Sequence, residues 1–234
     1  MPAPPSPPLF APSSLAQWFS AVGTIGAVIL ALFRDALLVW LRKPKLEAVC
    51  SKESPWTHKT PISINGSKGP WTGEGYFVRL EVKNAGHTRA EKVQVYAKAL
   101  SKVGRDNAES EIKTFLPLNL KWANSPPDKP ITFLDGISPK MAAFCDVLGL
   151  SEPSNPYQAR PKGTSADATV GQLQLEVDPF SGFHLLPPGK YRLTLLLAAA
   201  NVKPAKKIFE FEHTGQWIEN EEDMRRDCLS VSLR

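Results

Sequence analysis

Hydrophobic and polar residues alternate with a period of two along much of the chain after residue 45. In the clearest example the two faces are Tyr76, Val78, Leu80 and Val82 against Arg79, Glu81 and Lys83. Successive side chains of a strand point to opposite faces, so this pattern predicts a strand with one buried face. Four more strands are predicted, with these inward residues: Val93, Val95, Ala97 and Ala99; Leu173, Leu175 and Val177; Tyr191, Leu193, Leu195 and Leu197; Phe209 and Phe211.

Shorter apolar stretches and turn motifs complete this pattern. The weaker strand candidates are residues 46–50, 115–122, 143–148 and 230–233. The connecting turns are Asn65-Gly66, Asn84-Ala85-Gly86, Asp135-Gly136 and Pro187-Pro188-Gly189. A short helix is predicted at 219–228, because acidic residues precede basic ones there, as the helix dipole prefers. Many short strands with little helix predict a mainly β domain, a β-sandwich, over residues 44–234.

Two motifs in this region resemble a known family. They are Val82-Lys83-Asn84-Ala85-Gly86, followed by Ala90 and Val93-Gln94-Val95, and Pro188-Gly189-Lys190-Tyr191-Arg192-Leu193. The first resembles the strand, Asn-x-Gly turn and strand of bacterial immunoglobulin-like modules of the CARDB type. The second is similar to the turn that opens a late strand in such sandwiches. The resemblance implies an immunoglobulin-like sandwich, and the overall layout resembles bacterial membrane-anchored proteins without an assigned chemistry.

The N-terminal region has a different pattern, apolar without alternation. Residues 1–14 contain six prolines and no charged side chain, which predicts an extended, disordered tail. Residues 15–33 contain one strongly polar side chain, Gln17, and a helix of this length spans about 28 Å, close to the hydrocarbon thickness of a bilayer. We therefore predict a transmembrane and juxtamembrane helix over 15–43, followed by the soluble domain over 44–234.

The flanking charges predict the orientation of this span. Arg34, Arg42, Lys43 and Lys45 follow it, whereas no Lys or Arg precedes it. The positive-inside rule then places the C-terminal domain in the cytoplasm and the N-terminus outside the inner (plasma) membrane. A cleaved signal peptide is not expected, because its basic first region is missing. The three cysteines are far apart and without metal-binding spacing, which suits a reducing compartment.

Small residues recur on one face of the predicted span. Ser20, Gly23, Ala27 and Ala31 are three or four positions apart, and such residues let two membrane helices approach closely. The predicted partners are therefore membrane lipid and, through this helix, a second copy of the chain or another membrane protein. Twelve Lys or Arg against five Glu over residues 43–105 suit either anionic headgroups or a solvated face.

The sequence contains no recognisable catalytic, cofactor-binding or metal-binding motif. Nucleic-acid binding is not expected either, since no helix-turn-helix, aromatic RNP-type strand or Arg-rich run accompanies the net charge of +5. The most unusual loop contains Asp178, Phe180, Phe183 and His184. It suits a binding loop on a rigid sandwich, or two aromatics that close the core.

The function predicted from these patterns is a non-enzymatic, membrane-tethered interaction or sensory module that binds a protein partner. An unrecognised hydrolase with its site in the 178–184 loop is the alternative. The spatial arrangement of the polar groups discriminates between the two.

Overall fold

The computed structural model describes residues 12–126 and 129–234. The chain divides into two compact units, Met1–Lys43 and Pro44–Arg234. The first contains α1 (Pro12–Leu41). The strands of the second are β1 (Leu46–Val49), β2 (Thr57–Gly66), β3 (Gly69–Asn84), β4 (Ala90–Val103), β5 (Glu109–Glu111), β6 (Leu118–Asn119), β7 (Leu134–Ile137), β8 (Ala142–Ser151), β9 (Gly171–Leu173), β10 (Leu185–Leu186), β11 (Gly189–Ala199), β12 (Val202–His213) and β13 (Leu229–Leu233). A short helix, α2 (Glu221–Asp223), continues as a π-helical turn, Met224–Cys228.

The N-terminal helix is longer than predicted. It begins at Pro12, three residues before the expected start, and proline is tolerated in the first turn because its missing N–H has no helical partner there. The end of the predicted tail was therefore wrong, and residues 1–11 of that tail lie outside the described residues. The stretch Ala16–Arg34 is long and apolar enough to span a membrane, and none of it is buried.

Two antiparallel sheets make up the second unit. Within the described residues, the first sheet has six strands in the order β1-β3-β8-β9-β10, and β2 pairs with the N-terminal half of β3. The second sheet has seven strands in the order β13-β12-β11-β4-β5, and β6 and β7 also pair with β4. Side chains from both sheets form one hydrophobic core. The mainly β fold with a sandwich architecture, predicted from the alternation, is confirmed.

The inward faces of three strands agree with the two-residue period. The buried residues there are Tyr76, Val78, Leu80 and Val82 of β3, Tyr191, Leu193, Leu195 and Leu197 of β11, and Phe209 and Phe211 of β12. Their burial shows that a period of two predicts the face of a strand wherever the ladder is regular.

The inward orientation predicted for two residues was wrong. Ala99 is only partly buried, because Lys98 is an extra residue in β4 opposite Thr194 and Leu195, and this bulge turns Leu100 into the core instead. Val177 is 56% exposed, since β9 ends at Leu173 and the chain then leaves the sheet.

The sequence pattern did not predict β2, the first strand of the β2–β3 hairpin. β2 contains Pro61 and only two strongly apolar residues, Ile62 and Ile64, so its alternation is weak. The turn predicted at Asn65-Gly66 lies two positions further on, where Ser67 and Lys68 join the paired residues Gly66 and Gly69. The strand predicted over 115–122 shrinks to two residues and two isolated bridges.

The C-terminal helix is present but shorter than predicted. Asn220 caps it, and its Oδ1 accepts hydrogen bonds from the N–H groups of Glu222 and Asp223. An Asn at this position satisfies N–H groups that have no helical partner, which explains why the helix starts after Asn220 rather than at 219.

Candidate functional site: the outer face of the first sheet

The 178–184 loop is divided between the core and the surface. Phe183 and His184 are buried, and the Phe183 ring lies 5.0 Å from that of Phe115 in an edge-to-face arrangement. Asp178 and Phe180 point to solvent, and Phe180 is fully exposed. The two aromatics therefore have different roles, one closing the core and the other presented at the surface.

Backbone hydrogen bonds hold this loop in shape. The Gly182 N–H donates to the Pro179 carbonyl at 2.9 Å, and the Leu185 N–H donates to the Gly182 carbonyl at 3.0 Å. Gly182 has a φ of 70°, which suits glycine. These two turns, together with the packing of Phe183 in the core, hold Phe180 at the surface.

The buried end of the loop contains His184, the only histidine candidate for the base of the hydrolase alternative in residues 178–184. Burial lowers the pKa of His184, a shift that Asp178 opposes and Lys121 reinforces, and the His184 Nδ1 atom has no hydrogen-bond partner. No hydrogen bond found in the described chain joins His184 to a hydroxyl or thiol, as a base that activates a nucleophile requires. Burial also raises the pKa of the Cys145 thiol well above its ordinary value, so this thiol stays protonated at neutral pH.

The outer face of the first sheet contains a shielded ion pair. Arg79 on β3 and Asp146 on β8 are register partners, and Arg79 Nε lies 2.8 Å from Asp146 Oδ1. Their side chains are only 17% and 15% exposed. Burial raises the pKa of the Asp146 carboxyl, and the adjacent Arg79 guanidinium offsets that rise only in part. The Lys121 ammonium also lowers the pKa of Asp146, and its Nζ lies 3.9 Å from Asp178 Oδ1, so the loop belongs to the same charged cluster.

Next to this cluster lies a groove of about 170 Å³. Its lining residues are Ile62, Ile64, Phe77, Gly149, Leu150, Ser151, Asn155, Gln172 and Gln174. The lining thus combines apolar side chains with primary amides and a hydroxyl, and none of the lining side chains is charged. Apolar side chains with a few polar groups are typical of binding sites.

Glycines in the sheet let large side chains lie flat on this face. Gly149 is the register partner of Phe77, and a Cβ there would lie 3.4 Å from the Phe77 ring and 2.7 Å from Gln174 Nε2. Likewise, a Cβ at Gly75 would lie 2.5 Å from Ile62 Cδ1. The missing side chains therefore make room for Phe77, Gln174 and Ile62 close to the backbone.

The groove and the exposed part of the loop are continuous. Gln172 lines the groove, and its Nε2 donates to Asp178 Oδ1 at 3.4 Å. Of the loop residues singled out in the sequence, Asp178 therefore borders the groove. Phe180 lies two residues beyond it, whereas Phe183 and His184 are on the buried side.

Sequence reasoning missed the groove residues themselves. Ile62 and Ile64 lie on the strand whose alternation was too weak to detect, and Arg79 was interpreted only as the solvent side of an amphipathic strand. The one available signal was the pair of glutamines at alternate positions, Gln172 and Gln174, beside strongly apolar neighbours.

In the first unit, the four small residues singled out as a packing face are Ser20, Gly23, Ala27 and Ala31, and all are exposed. A Cβ at Gly23 would have no atom within 4 Å. The Thr24 hydroxyl donates to the Ser20 carbonyl at 2.8 Å, so this side-chain polar group is satisfied within the helix.

No group of three or more His, Cys, Asp or Glu side chains suited to a metal ion occurs among residues 12–126 and 129–234. Neither a protein-family model nor a curated protein matches the sequence. The geometry of the site is therefore the basis for assigning a function.

Proposed function

We propose that the protein is a membrane-tethered, non-enzymatic interaction module that binds a protein partner through the outer face of its first sheet. The observation that carries this proposal is the uncharged groove that continues into a loop with a fully exposed Phe180. Aromatic anchors beside a concave surface are characteristic of protein-binding sites.

The tether in this proposal is α1, inserted as a single span in the inner (plasma) membrane of a bacterium. Its exposed apolar stretch, Ala16–Arg34, has the length that a bilayer requires. The basic residues after the span favour a cytoplasmic sandwich and an external N-terminus. The free thiols of Cys50, Cys145 and Cys228 suit a reducing compartment.

We further propose that the sandwich is immunoglobulin-like, of the CARDB type. The Asn84 turn supports this assignment, because the Asn84 side chain organises the connection after β3. Its Oδ1 accepts from the Gly86 N–H at 3.0 Å, and its Nδ2 donates to the Thr88 and Ile137 carbonyls at 2.7 Å and 2.9 Å. An Asx turn of this kind explains why Asn precedes the glycine.

The binding surface can be tested by photocrosslinking in the cells that produce the protein. A photoreactive phenylalanine replaces Ile64 in the groove, Phe180 on the loop or, as a control, Tyr96 on the outer face of the second sheet. We expect Ile64 and Phe180 to yield an adduct with the same protein and Tyr96 to yield none. Equal adducts from all three positions, or adducts with lipid alone from the first two, would show that this face is not the binding surface.

A further inference from the structure

The groove residues define the chemistry of what they bind. Gln172 and Gln174 each use one N–H, toward Asp178 Oδ1 at 3.4 Å and toward the Gln172 backbone carbonyl at 3.3 Å. Neither Gln side-chain oxygen accepts a hydrogen bond from the described residues. Each amide therefore retains one donor and its acceptor oxygen for a ligand.

We infer that the groove binds an extended, uncharged peptide segment of a partner protein, with one apolar side chain seated between Ile62, Ile64 and Phe77. This inference rests on the proposed function and specifies the ligand of the same site. A peptide group carries one N–H donor and one C=O acceptor, the same chemistry as a Gln side chain. Gln172 and Gln174 are two positions apart, so they are suited to pair with alternate peptide groups, which point to the same side of an extended segment.

The volume of the groove limits the side chain that it accepts. At about 170 Å³ it is comparable to the cavity of about 150 Å³ that binds a benzene ring in an apolar protein interior. One aromatic or branched aliphatic side chain matches this volume.

The charges nearest to the groove are already engaged, so they do not favour a charged ligand. The Glu152 carboxylate, beside the lining residue Ser151, accepts a hydrogen bond from the Glu74 N–H at 2.9 Å. Arg79 is bonded to Asp146, and Lys121 lies beside Asp178. A carboxylate in the groove would lose hydration without gaining an opposite charge.

The outer edge of β2 lacks a free donor at two positions, which favours a peptide lying across the face. β2 is the outer strand beside the groove, and the N–H of Lys59 already donates to Glu221 Oε1 at 3.1 Å. Pro61, two residues on, has no N–H. A partner strand added to this edge would lack donors at both positions, so addition to the edge is unfavourable.

A peptide selection on the full chain in lipid nanodiscs tests this inference. The probe is a phage-displayed library of random decapeptides, with empty nanodiscs as the counter-selection. Selected peptides are then measured by fluorescence anisotropy against the wild type, Gln174→Leu and Gln94→Leu. Gln94 is a matched control, since it is a partly exposed glutamine on the outer face of the second sheet.

We expect uncharged peptides that share one aromatic or branched aliphatic residue, with a Kd raised about tenfold by Gln174→Leu and unchanged by Gln94→Leu. Selection of charged peptides, or equal binding by both variants, overturns the inference. The inference is also overturned if the groove binds neutral oligosaccharides instead of peptides. The same holds if Gln174→Leu changes only the oligomeric state measured by sedimentation. Crosslinks from Ile64 and Phe180 without peptide binding would leave the proposed function intact and remove only this ligand.

Discussion

His213 is a titratable side chain enclosed in the core, at the end of β12. It is 2% exposed, its ring is stacked at 6.5 Å from that of Tyr191, and neither ring nitrogen has a hydrogen bond of ordinary geometry. Burial lowers its pKa to about 4, and the nearby Leu186 and Pro187 backbone groups offset that shift only in part. The folded protein therefore holds His213 neutral in a range where the unfolded chain protonates it.

This burial makes stability depend on pH. A histidine with a lowered pKa in the folded state contributes full stability above pH 6.5 and loses it as the pH falls from 6.5 toward 4. We expect a loss of about 2 kcal/mol by pH 5 from this residue alone. The thermal unfolding midpoint of the full chain, followed by tryptophan fluorescence from pH 7.5 to 5, measures the effect.

His213→Phe keeps a ring against Tyr191 and removes the titrating group, so it should flatten the pH dependence over this window. The control is His87→Gln, at an exposed histidine, which should retain the dependence of the wild type. An unchanged slope in His213→Phe would show that other groups control acid sensitivity.

At the scale of elements, regular strands and irregular ones differ in how far they can be predicted. The face of β11 follows from its residues, because one side is apolar at every second position. The bulges at Lys98 and Val147 depend on how β4 and β8 pair with their neighbours, and local alternation does not signal them.

The N-terminal helix supports a prediction about association in the membrane. Lipid tails are as apolar as leucine, so contact between spans depends on close backbone packing. Gly23→Ile and Ala27→Ile should leave the span apolar and inserted, yet reduce its self-association several-fold in a two-hybrid reporter for membrane helices. A bulky side chain at either position would keep two backbones apart.

Val22→Leu and Ile29→Leu are the matched controls, because they add no bulk to the small-residue face. They should retain the signal of the unmodified span. If all four variants associate equally, the helix is a plain anchor and any oligomerisation arises in the sandwich.

For the whole molecule, the proposed orientation in a membrane would decide which partners are accessible. Lys102 is exposed on β4, so a cysteine there reports the side on which the sandwich lies. In a Cys50→Ser background, Lys102→Cys should stay unlabelled by a membrane-impermeant maleimide on intact cells and react fully after permeabilisation. Cys145 and Cys228 are buried and should add little background.

Ser6→Cys in the same background tests the opposite side and should be labelled on intact cells. Labelling of Lys102→Cys before permeabilisation would place the sandwich outside the cytoplasm. Loss of the Ser6→Cys signal together with a shortened chain would identify the apolar segment as a cleaved signal sequence.

The sequence by itself determined the apolar helix, the inward faces of β3, β11 and β12, and the mainly β class. Each of these depends on a period read within one segment, and the period follows from backbone geometry alone. It also indicated that the 178–184 loop was unusual, although not that Phe180 and Phe183 would lie on opposite sides of the surface.

Only the tertiary structure decided the groove. Phe77 lies over Gly149, and Gln172 reaches Asp178 beside Lys121, because the pairing of β3, β8 and β9 brings distant segments together. Such contacts depend on register between strands, and a register is set by the packing of the whole core rather than by any one segment. For that reason, the groove was absent from the sequence pattern even where the strands that form it were correctly predicted.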